Sequence, residues 1–539
     1  MINNAIVHKH ASLEDKLIAL LLAIFTVLLL VATAPQIGLT WDEPTYIVAA
    51  ETYPAWFGNL VTQPNFALSE QGVKTYWEFN HEHPPLSKLW SGFVWLGARH
   101  LFDDLTAHRL GNILLASVLV ALLYLMLARE NGRTAGLVAA AALLTMPRFF
   151  LHAHLSALDV PVTVMIFAVT YIFWLGRNRT GFRWTLLLGL VWGLALATKI
   201  NALFIPPVVL SVWTLAFQPR RYLFIRLALM GLIGGASFLI SWPWLYYDSF
   251  NRLMTYLGFF TIDRYPTEQF YFGHLYTPPP WHFPFFITII VVPFSLILLA
   301  TAGAFFTMRQ RDDRPLGGLF LLGAFVSLLV LAIGPSQVFD NERLLMPVFP
   351  YLAALAGLGF VRAIPIAQQL AANRRIQLRK TQLVSILVAA TFGPHLLLAV
   401  DLYPHLLSYY SEAVGGVYGA KVLQMETTYW CESYSQTLAY LNTHAPPEAV
   451  VWAECQDVLI YYQLHGKLRS DLQIANGPEA TTAFSDAQLN PATFSEADIV
   501  VIQYRQSGFY RAIREWMYAR DPVYEIKYRR LRLAEIYTQ

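Results

Sequence analysis

The chain has 539 residues, of which 56% are hydrophobic and 14% are charged. Average soluble domains are about 45–50% apolar and about 25% charged, so this composition predicts a membrane protein. The formal net charge of +3 is small, and no basic tract is interleaved with aromatic residues, which argues against nucleic acid as a partner.

Apolar runs recur along the chain from Leu17 to Val400, and we interpret them as eleven membrane spans. The first run has no A-x-A cleavage pattern after it, so we interpret it as an anchored span and not as a signal peptide. The predicted spans cover approximately residues 17–34, 108–128, 134–148, 156–176, 184–198, 202–217, 226–244, 285–307, 316–334, 345–362 and 382–401.

The connections between these spans alternate in character. One set is short and rich in arginine, and the positive-inside rule places it in the cytoplasm together with the N-terminus. The other set is long, aromatic and acidic, and comprises residues 35–107, 148–156, 245–284, 335–344 and everything after 402. The sequence therefore predicts a multi-pass protein of a plasma (inner) membrane with a large first outer loop and an extracytoplasmic C-terminus.

The first outer loop begins with two adjacent acids, Asp42 and Glu43, between the aromatic residues Trp41 and Tyr46. Aromatic rings prefer the membrane interface, so they hold the acids near the membrane plane. There an ionised carboxylate suits a general base or a metal ligand. The alternative is a pair of solvated loop residues.

The same loop later places Glu82, His83 and Lys88 around the rigid step Pro84-Pro85. Histidines at 81 and 83 have a spacing that can supply two metal ligands, but imidazoles also donate hydrogen bonds to phosphate. Because no third ligand lies nearby in sequence, we favour contact with a phosphate or a sugar.

Two outward turns carry charged residues at membrane depth. Asp159 lies one turn into an apolar span, and the two open interpretations are a divalent ion shared with His154 or an ion pair with Arg148. Lys199 lies in a turn between two short spans, where it either faces an anion in an aqueous cavity or extends to the interface.

Two later loops add one candidate each. His274 lies in an aromatic loop whose other members are typical of an interfacial belt. Arg343 lies at the outer end of a span, where its planar fork suits a phosphate or a carboxylate; a simple interface anchor is the alternative.

Six short motifs occur in order on the outer face. Taken together they resemble the superfamily of protein O-mannosyltransferases and aminoarabinose transferases, which are integral membrane glycosyltransferases of the GT-C type. The motifs are Asp42-Glu43, His-Pro-Pro-Leu at 83–86, Leu-Asp-Val-Pro at 158–161, the run 193–199, the loop 271–281 and Arg-Leu-Leu-Met-Pro at 343–347.

The resemblance implies a mainly α GT-C bundle that transfers a glycosyl unit from a polyprenyl-phosphate-linked sugar to a lipid, glycan or protein acceptor outside the cytoplasm, with inversion. It implies that Asp42 is the general base, with Glu43 beside it in the catalytic motif. Donor contacts are expected from Glu82 (sugar) and from a set of cationic or imidazole side chains: His83, Lys88, Lys199, His274 and Arg343.

The same resemblance implies that Asp159 makes a metal or structural contact beneath the site. No cofactor is certain, and a divalent metal ion held by Asp159 and His154 stays open. Relatives often carry lysine directly before the two prolines, where this chain has His83. The alternative function is a lipid-linked-sugar flippase or another transporter, although a transporter should place its polar groups near the bilayer midplane.

We expect a transmembrane glycosyltransferase domain over residues 1–402 and a small α/β extracytoplasmic module over 403–539. Candidate strands at 449–453, 498–502 and 523–527 alternate with candidate helices near 433–443 and 508–519. The module either caps the cavity or binds the acceptor. Its cysteines, Cys431 and Cys455, form a disulfide in an oxidising compartment or remain two buried thiols.

Overall fold

The structure is a computed structural model that describes residues 11–260, 267–311, 313–333, 338–477, 481–485, 489–509 and 511–539. Helices coincide with all eleven predicted spans. Seven are long and apolar enough to cross a membrane, one candidate is a bent pair, and three apolar helices are shorter. In chain order they are Leu13–Thr33, Asp104–Asn131, Arg133–Thr145, Asp159–Gly176, Phe182–Leu196, Asn201–Phe217, Arg221–Ser241, Phe283–Val291 with Phe294–Arg309, Arg314–Ile333, Phe349–Asn373 and Lys380–Leu402.

The prediction of a polytopic helix bundle is therefore confirmed, with a span count consistent with about eleven. The bent pair turns by 117° between Val291 and Phe294. Pro293 causes the break, because proline cannot donate its backbone hydrogen bond and forces the preceding residue out of the helical conformation. Val292 accordingly has an extended backbone, with φ −86° and ψ 136°.

Small residues let the helices approach closely. A Cβ atom added to Gly303 would lie 2.0 Å from the carbonyl oxygen of Leu355, and one added to Gly359 would lie 2.0 Å from that of Leu299. The two glycines therefore bring Phe294–Arg309 and Phe349–Asn373 into backbone contact. Membrane helices gain their association energy from such close packing, since lipid tails remove any hydrophobic driving force between them.

An outer layer of short elements covers one end of the bundle. The first outer loop is largely helical, and the later loops add two helices, a hairpin and a 3-10 turn. These elements are the helices Glu43–Thr62, Pro64–Ala67, Glu70–Trp77, Leu86–Ala98, Pro147–His152 and Ser249–Phe259, the strands Gln269–Tyr271 and His274–Tyr276, and the 3-10 turn Arg343–Val348.

After Leu402 the chain crosses this outer layer before it forms a sheet. Leu407, Tyr409 and Trp430 pack against Tyr46 and Leu151 of the outer layer. The five strands then lie in the spatial order Gln473–Ala475, Val450–Ala453, Ile499–Gln503, Leu531–Thr538 and Tyr524–Tyr528.

The first three of these strands are parallel and the last two pair antiparallel. The accompanying helices are Gly416–Val422, Leu438–His444, Gln456–Leu464 and Arg511–Tyr518. The predicted α/β module is confirmed, although the sequence patterns did not reveal the strands Gln473–Ala475 and Leu531–Thr538. A disulfide joins Cys431 to Cys455.

Candidate functional site

A cavity of about 870 Å³ opens between the first outer loop and the outer ends of the spans. Five sequence-predicted site residues line its polar end: Asp42, Glu82, His83, Lys199 and Arg343. Most of the remaining wall is apolar, and consists of Ile200, Leu203, Phe204, Leu257, Phe260, Val330, Leu331, Ile333, Phe339 and Leu344. The cavity thus has one charged end and one long hydrophobic flank.

Arg343 is the centre of the charged end. Its guanidinium contacts Asp42 through Nη2, Asp159 at 3.1 Å through Nε and Asp340 at 3.0 Å through Nη1. The face of Trp430 covers it, with the ring centroid 4.2 Å from Cζ. Arg343 therefore faces three carboxylates, more than its single charge can neutralise.

The second cation, Lys199, lies beside the first. Its Nζ donates to Oδ1 of Asp159, whose Oδ2 accepts from Arg343. Both oxygens of Asp159 are thereby used to hold the two cations, and its side chain is 2% exposed. We name Asp42, Asp159, Lys199 and Arg343 the cavity cluster.

Backbone geometry explains how Arg343 reaches this position. Asp340 and Asn341 both have positive φ values, 55° and 50°, a conformation that non-glycine residues rarely adopt. Gln269 supports this turn, because its Oε1 accepts the N–H of Asn341 at 3.0 Å. The turn leads directly into the 3-10 segment Arg343–Val348 and directs the arginine toward the cavity.

Asp42 precedes the helix Glu43–Thr62, and its side chain is 24% exposed. Trp41 holds the turn in place, because its backbone N–H donates to the carbonyl of Trp430 at 2.9 Å. Burial raises the pKa of Asp42 above its ordinary value; Arg343 opposes this rise, while Asp340 and Asp159 add to it. A carboxylate with a raised pKa is a better proton acceptor than an exposed aspartate.

Glu43, one residue later, has a different environment. Its two oxygens accept from Arg109 Nε at 2.8 Å and Nη2 at 2.7 Å, from the N–H of Ser156 at 2.8 Å and from the N–H of Thr40 at 2.9 Å. Its side chain is fully buried and does not line the cavity. Burial by itself would raise the pKa of Glu43, but the Arg109 guanidinium and these hydrogen bonds hold it below its ordinary value.

In the loop around Pro84-Pro85, too, one predicted site residue is buried away from the cavity and another lines it. Lys88 is buried and donates to the side-chain and backbone oxygens of Asn80, at 2.8 and 2.7 Å, and to the carbonyl of His83 at 2.8 Å. Lys88 therefore braces the loop and does not line the cavity. Burial lowers its pKa to about 7. Glu82 lines the cavity and accepts from Asn80 at 2.6 Å.

The structure does not join His154 to Asp159 as a metal site. Nδ1 of His154 lies 2.8 Å from the carbonyl of Phe150, and Nε2 lies 2.8 Å from Oγ1 of Thr33. Both ring nitrogens of His154 and both oxygens of Asp159 thus have partners of their own. Burial lowers the pKa of His154 to about 3. The alternative partner proposed for Asp159, Arg148, instead pairs with Glu342.

His274 is also placed apart from the other candidates. It is exposed on the hairpin Gln269–Tyr271/His274–Tyr276 and is not among the residues that line the cavity. The hairpin itself is anchored, because the N–H of Gly273 donates to the carbonyl of Gln424 at 2.9 Å.

Several residues of the site gave no recognisable sequence signal. Arg505, from the C-terminal module, contacts Asp340 at 2.8 Å and Glu426 at 3.8 Å. Oε1 of Glu426 also accepts the N–H of Ser507 at 2.9 Å. The partners in these contacts lie at least 79 positions apart in the chain. The one sequence signal for them is an isolated charge in a segment with the composition of a soluble domain.

The chain is similar to known proteins in part of its sequence and in its overall fold. Residues 82–247 match the family model of dolichyl-phosphate-mannose-protein mannosyltransferases. The structure is similar to the crystal structure of ArnT from Cupriavidus metallidurans in the apo state, with a TM-score of 0.53 and 16% identity over 96% of this chain and 97% of that one. It is also similar to ArnT from the same organism bound to undecaprenyl phosphate, with a TM-score of 0.52, 16% identity and the same coverage.

A comparison with curated proteins gives no match. The resemblance drawn from the sequence motifs is nevertheless confirmed by the family model and by the fold. The chain is a multi-span membrane protein with the fold of the GT-C glycosyltransferases of the ArnT and protein mannosyltransferase type.

Proposed function

We propose that this membrane protein of GT-C fold transfers a glycosyl unit from a polyprenyl-phosphate-linked sugar to a lipid, glycan or protein acceptor at the outer face of the plasma membrane. The observation that carries the proposal is the cavity itself. Its volume of about 870 Å³ lies at the upper end of the usual range for ligand pockets, about 300–1,000 Å³. A lipid phosphate has the same division into one charged end and one long apolar part.

Lys199 and Arg343 are the proposed binding groups for the donor phosphate. Arginine offers a planar fork to phosphate oxygens, and lysine adds a compact charge. Asp159 holds both cations in register from beneath, so its role is positioning. His83 and Glu82 line the same end, where we assign His83 to the phosphate and Glu82 to the sugar. The similar ArnT structure with bound undecaprenyl phosphate supports this class of donor.

Asp42 is the proposed general base. The acceptor hydroxyl oxygen attacks the anomeric carbon, and its proton passes to the Asp42 carboxylate. The bond between the anomeric carbon and the phosphate oxygen breaks on the opposite side, and its electron pair leaves with the polyprenyl phosphate, so the configuration inverts. Asp42 in this structure contacts Arg343. A bound phosphate competes for that arginine and leaves the carboxylate to accept the proton.

We assign residues 1–402 to the transferase domain and 403–539 to an extracytoplasmic module that caps the cavity. Trp430 covers Arg343, and Arg505 binds the Asp340 that also holds Arg343. The disulfide between Cys431 and Cys455 supports an oxidising compartment for this part of the chain. With the N-terminus in the cytoplasm, the charged end of the cavity then faces outward.

The test uses proteoliposomes and a panel of radiolabelled polyprenyl-phosphate sugars. We expect the wild type to consume one donor and release polyprenyl phosphate, and Asp42→Asn to lose about 10²–10⁴-fold in turnover while it still binds the donor. Asp42→Asn should fold, because Arg343 keeps Asp159 and Asp340 as partners.

The two contrary outcomes would refute different parts of the proposal. If no donor is consumed but labelled lipid changes leaflet regardless of Asp42, the protein is a flippase. If a donor is consumed at the same rate by Asp42→Asn, the transferase assignment stands and Asp42 is not its base.

A further inference from the structure

A second group of ionisable side chains lies outside the cavity. Glu51 belongs to the helix Glu43–Thr62, and Asp104 and His108 lie one turn apart at the start of the helix Asp104–Asn131. One oxygen from each acid and one ring nitrogen of His108 all lie within 4.8 Å of one another. None of the three residues lines the cavity.

The separation between His108 and Glu51 matches that between two ligands of one metal ion, and the separation between His108 and Asp104 is a few tenths of an ångström longer. Nε2 of His108 lies 3.3 Å from Oε1 of Glu51 and 3.9 Å from Oδ1 of Asp104. Two ligand atoms that each lie about 2.0–2.2 Å from a tetrahedral Zn²⁺ are roughly 3.3–3.6 Å apart. A direct hydrogen bond from an imidazole N–H would more commonly be about 2.9–3.0 Å long.

The burial of His108 supplies a second, independent observation. Its side chain is fully buried and stacks on Trp95, with ring centroids 4.9 Å apart. Among the described residues its Nδ1 has no hydrogen-bond partner, so the polar contacts of its ring are those with Glu51 and Asp104. A buried imidazole costs free energy unless its polar atoms make strong interactions. In His108 the nitrogen that can make one is Nε2, which faces Glu51 and Asp104.

Residues outside the cluster also orient the carboxylate of Asp104. Its Oδ2 accepts from the hydroxyl of Tyr461 at 2.7 Å and lies 3.2 Å from Nε2 of His465. Trp95 Nε1 donates to Oδ1 at 2.9 Å, which leaves that oxygen a second lone pair. Such outer hydrogen bonds are what fixes a ligating carboxylate in known metal sites.

We propose that Glu51, Asp104 and His108 bind a divalent transition-metal ion of the zinc type, with water in the fourth position. Mixed imidazole and carboxylate ligands suit Zn²⁺ better than the all-oxygen sets of Mg²⁺ or Ca²⁺. The side chain of Glu51 is 42% exposed, which gives the ion a path from solvent.

The site would connect three parts of the chain. The ion joins the first outer loop to the second span, while Tyr461 and His465 tie Asp104 to the C-terminal module. Because Glu51 lies on the helix that begins beside Asp42, a bound ion would stiffen the support of the cavity cluster without contacting it.

The test measures metal binding, so its outcome is independent of the transferase activity. Tag-free full-length protein in detergent is stripped with a chelator, dialysed against Zn²⁺ alone and analysed for zinc per chain. We expect one ion per chain in the wild type, and binding weaker by at least roughly tenfold in Glu51→Gln and His108→Gln. Zn²⁺ should also raise the melting temperature of the wild type and not that of Glu51→Gln.

Glu70→Gln and His100→Gln are the matched controls, since both side chains are exposed on the same outer loop and lie outside the cluster. Both should bind like the wild type. Glu51→Gln decides the matter if His108→Gln fails to fold, because it keeps the shape of a partly exposed side chain. A wild type without stoichiometric zinc, or a Glu51→Gln variant that binds as tightly as the wild type, overturns the proposal.

Discussion

The cavity cluster and the Glu43–Arg109 pair are two groups of buried charges. They contain the adjacent acids Asp42 and Glu43, but they differ in how fully each carboxylate is hydrogen-bonded and in its exposure to the cavity. In the pair, five hydrogen bonds satisfy a carboxylate that has no exposure to solvent. In the cavity cluster, Arg343 divides its charge among three carboxylates, and Asp42 remains 24% exposed. One arrangement is closed, while the other can exchange a partner for a ligand.

The role of a buried acid therefore follows from the lone pairs that its partners leave free and from its access to a cavity. Breaking a closed ion pair strands a charge in a low dielectric. Removing one partner from a shared cluster leaves the others to compensate. Substitutions in the two regions should therefore separate stability from activity.

The largest effect on stability is expected for Glu43→Gln. It leaves the buried Arg109 without a countercharge, and breaking such a pair typically costs about 3–5 kcal/mol. The measurement is the folded yield and the melting temperature in detergent, next to Asp42→Asn, which should melt close to the wild type.

The matched control for that prediction is the double variant Glu43→Gln/Arg109→Met. Removing both charges should recover part of the lost stability, because no unpaired charge remains. If Glu43→Gln melts like the wild type but has lost turnover, Glu43 takes part in the chemistry. The proposed division between a stabilising Glu43 and a catalytic Asp42 would then be wrong.

The next largest effect is expected for donor binding in Lys199→Met. Loss of one charged hydrogen bond to the phosphate should weaken the binding of polyprenyl phosphate by about 10–100-fold. Lys199→Arg should restore part of the affinity, since it keeps a cation beside Asp159. If wild type and Lys199→Met, at matched folding, have equal dissociation constants for polyprenyl phosphate, the phosphate does not bind at this end of the cavity.

The pH dependence of transfer tests the role of Asp42 in the cavity cluster. Transfer requires Asp42 in its deprotonated form, and burial raises the pKa of this residue. The acid limb of kcat/KM should therefore have its midpoint above about 3.9, the ordinary value for aspartate, with activity rising as the pH increases. The residual activity of Asp42→Asn should lack that limb. A midpoint at or below the ordinary value contradicts the assigned base.

The smallest effect is expected for Glu454 in the C-terminal module, a half-buried acid that forms no ion pair with another described residue. Burial raises its pKa to about 7, and its Oε2 has no hydrogen-bond partner among the described residues. The folded protein therefore favours the protonated acid. This contribution to stability is complete below the unfolded pKa of about 4.3 and is lost as the pH rises through about 7.

The melting temperature of the wild type should accordingly fall between pH 5 and pH 8, and Glu454→Gln should reduce that fall. The glutamine mimics the protonated acid and cannot ionise. A pH dependence that is identical in the two proteins would show that Glu454 is neutral over the whole range or is solvated on ionisation.

Local sequence patterns were enough to predict the bundle, its spans and the presence of the C-terminal module. Hydropathy and periodicity are local properties, and each of the eleven apolar runs corresponds to a helix or, at 285–307, to a bent pair of helices. The ordered motifs on one predicted membrane face also led to the GT-C resemblance that the family model and the fold confirm. Five of the candidate residues, Asp42, Glu82, His83, Lys199 and Arg343, meet in one cavity.

Which charged side chains face that cavity, and which are paired with neighbouring residues instead, depends on contacts between distant parts of the chain. Asp42 and Glu43 are adjacent in sequence, but Arg109, 66 residues away, closes around the second of them. Lys88 donates its hydrogen bonds within its own loop, and Arg505 pairs with Asp340, which lies 165 residues earlier in the chain. Hydrogen bonds and ion pairs depend on distances of a few ångströms between parts of the chain that local patterns cannot bring together.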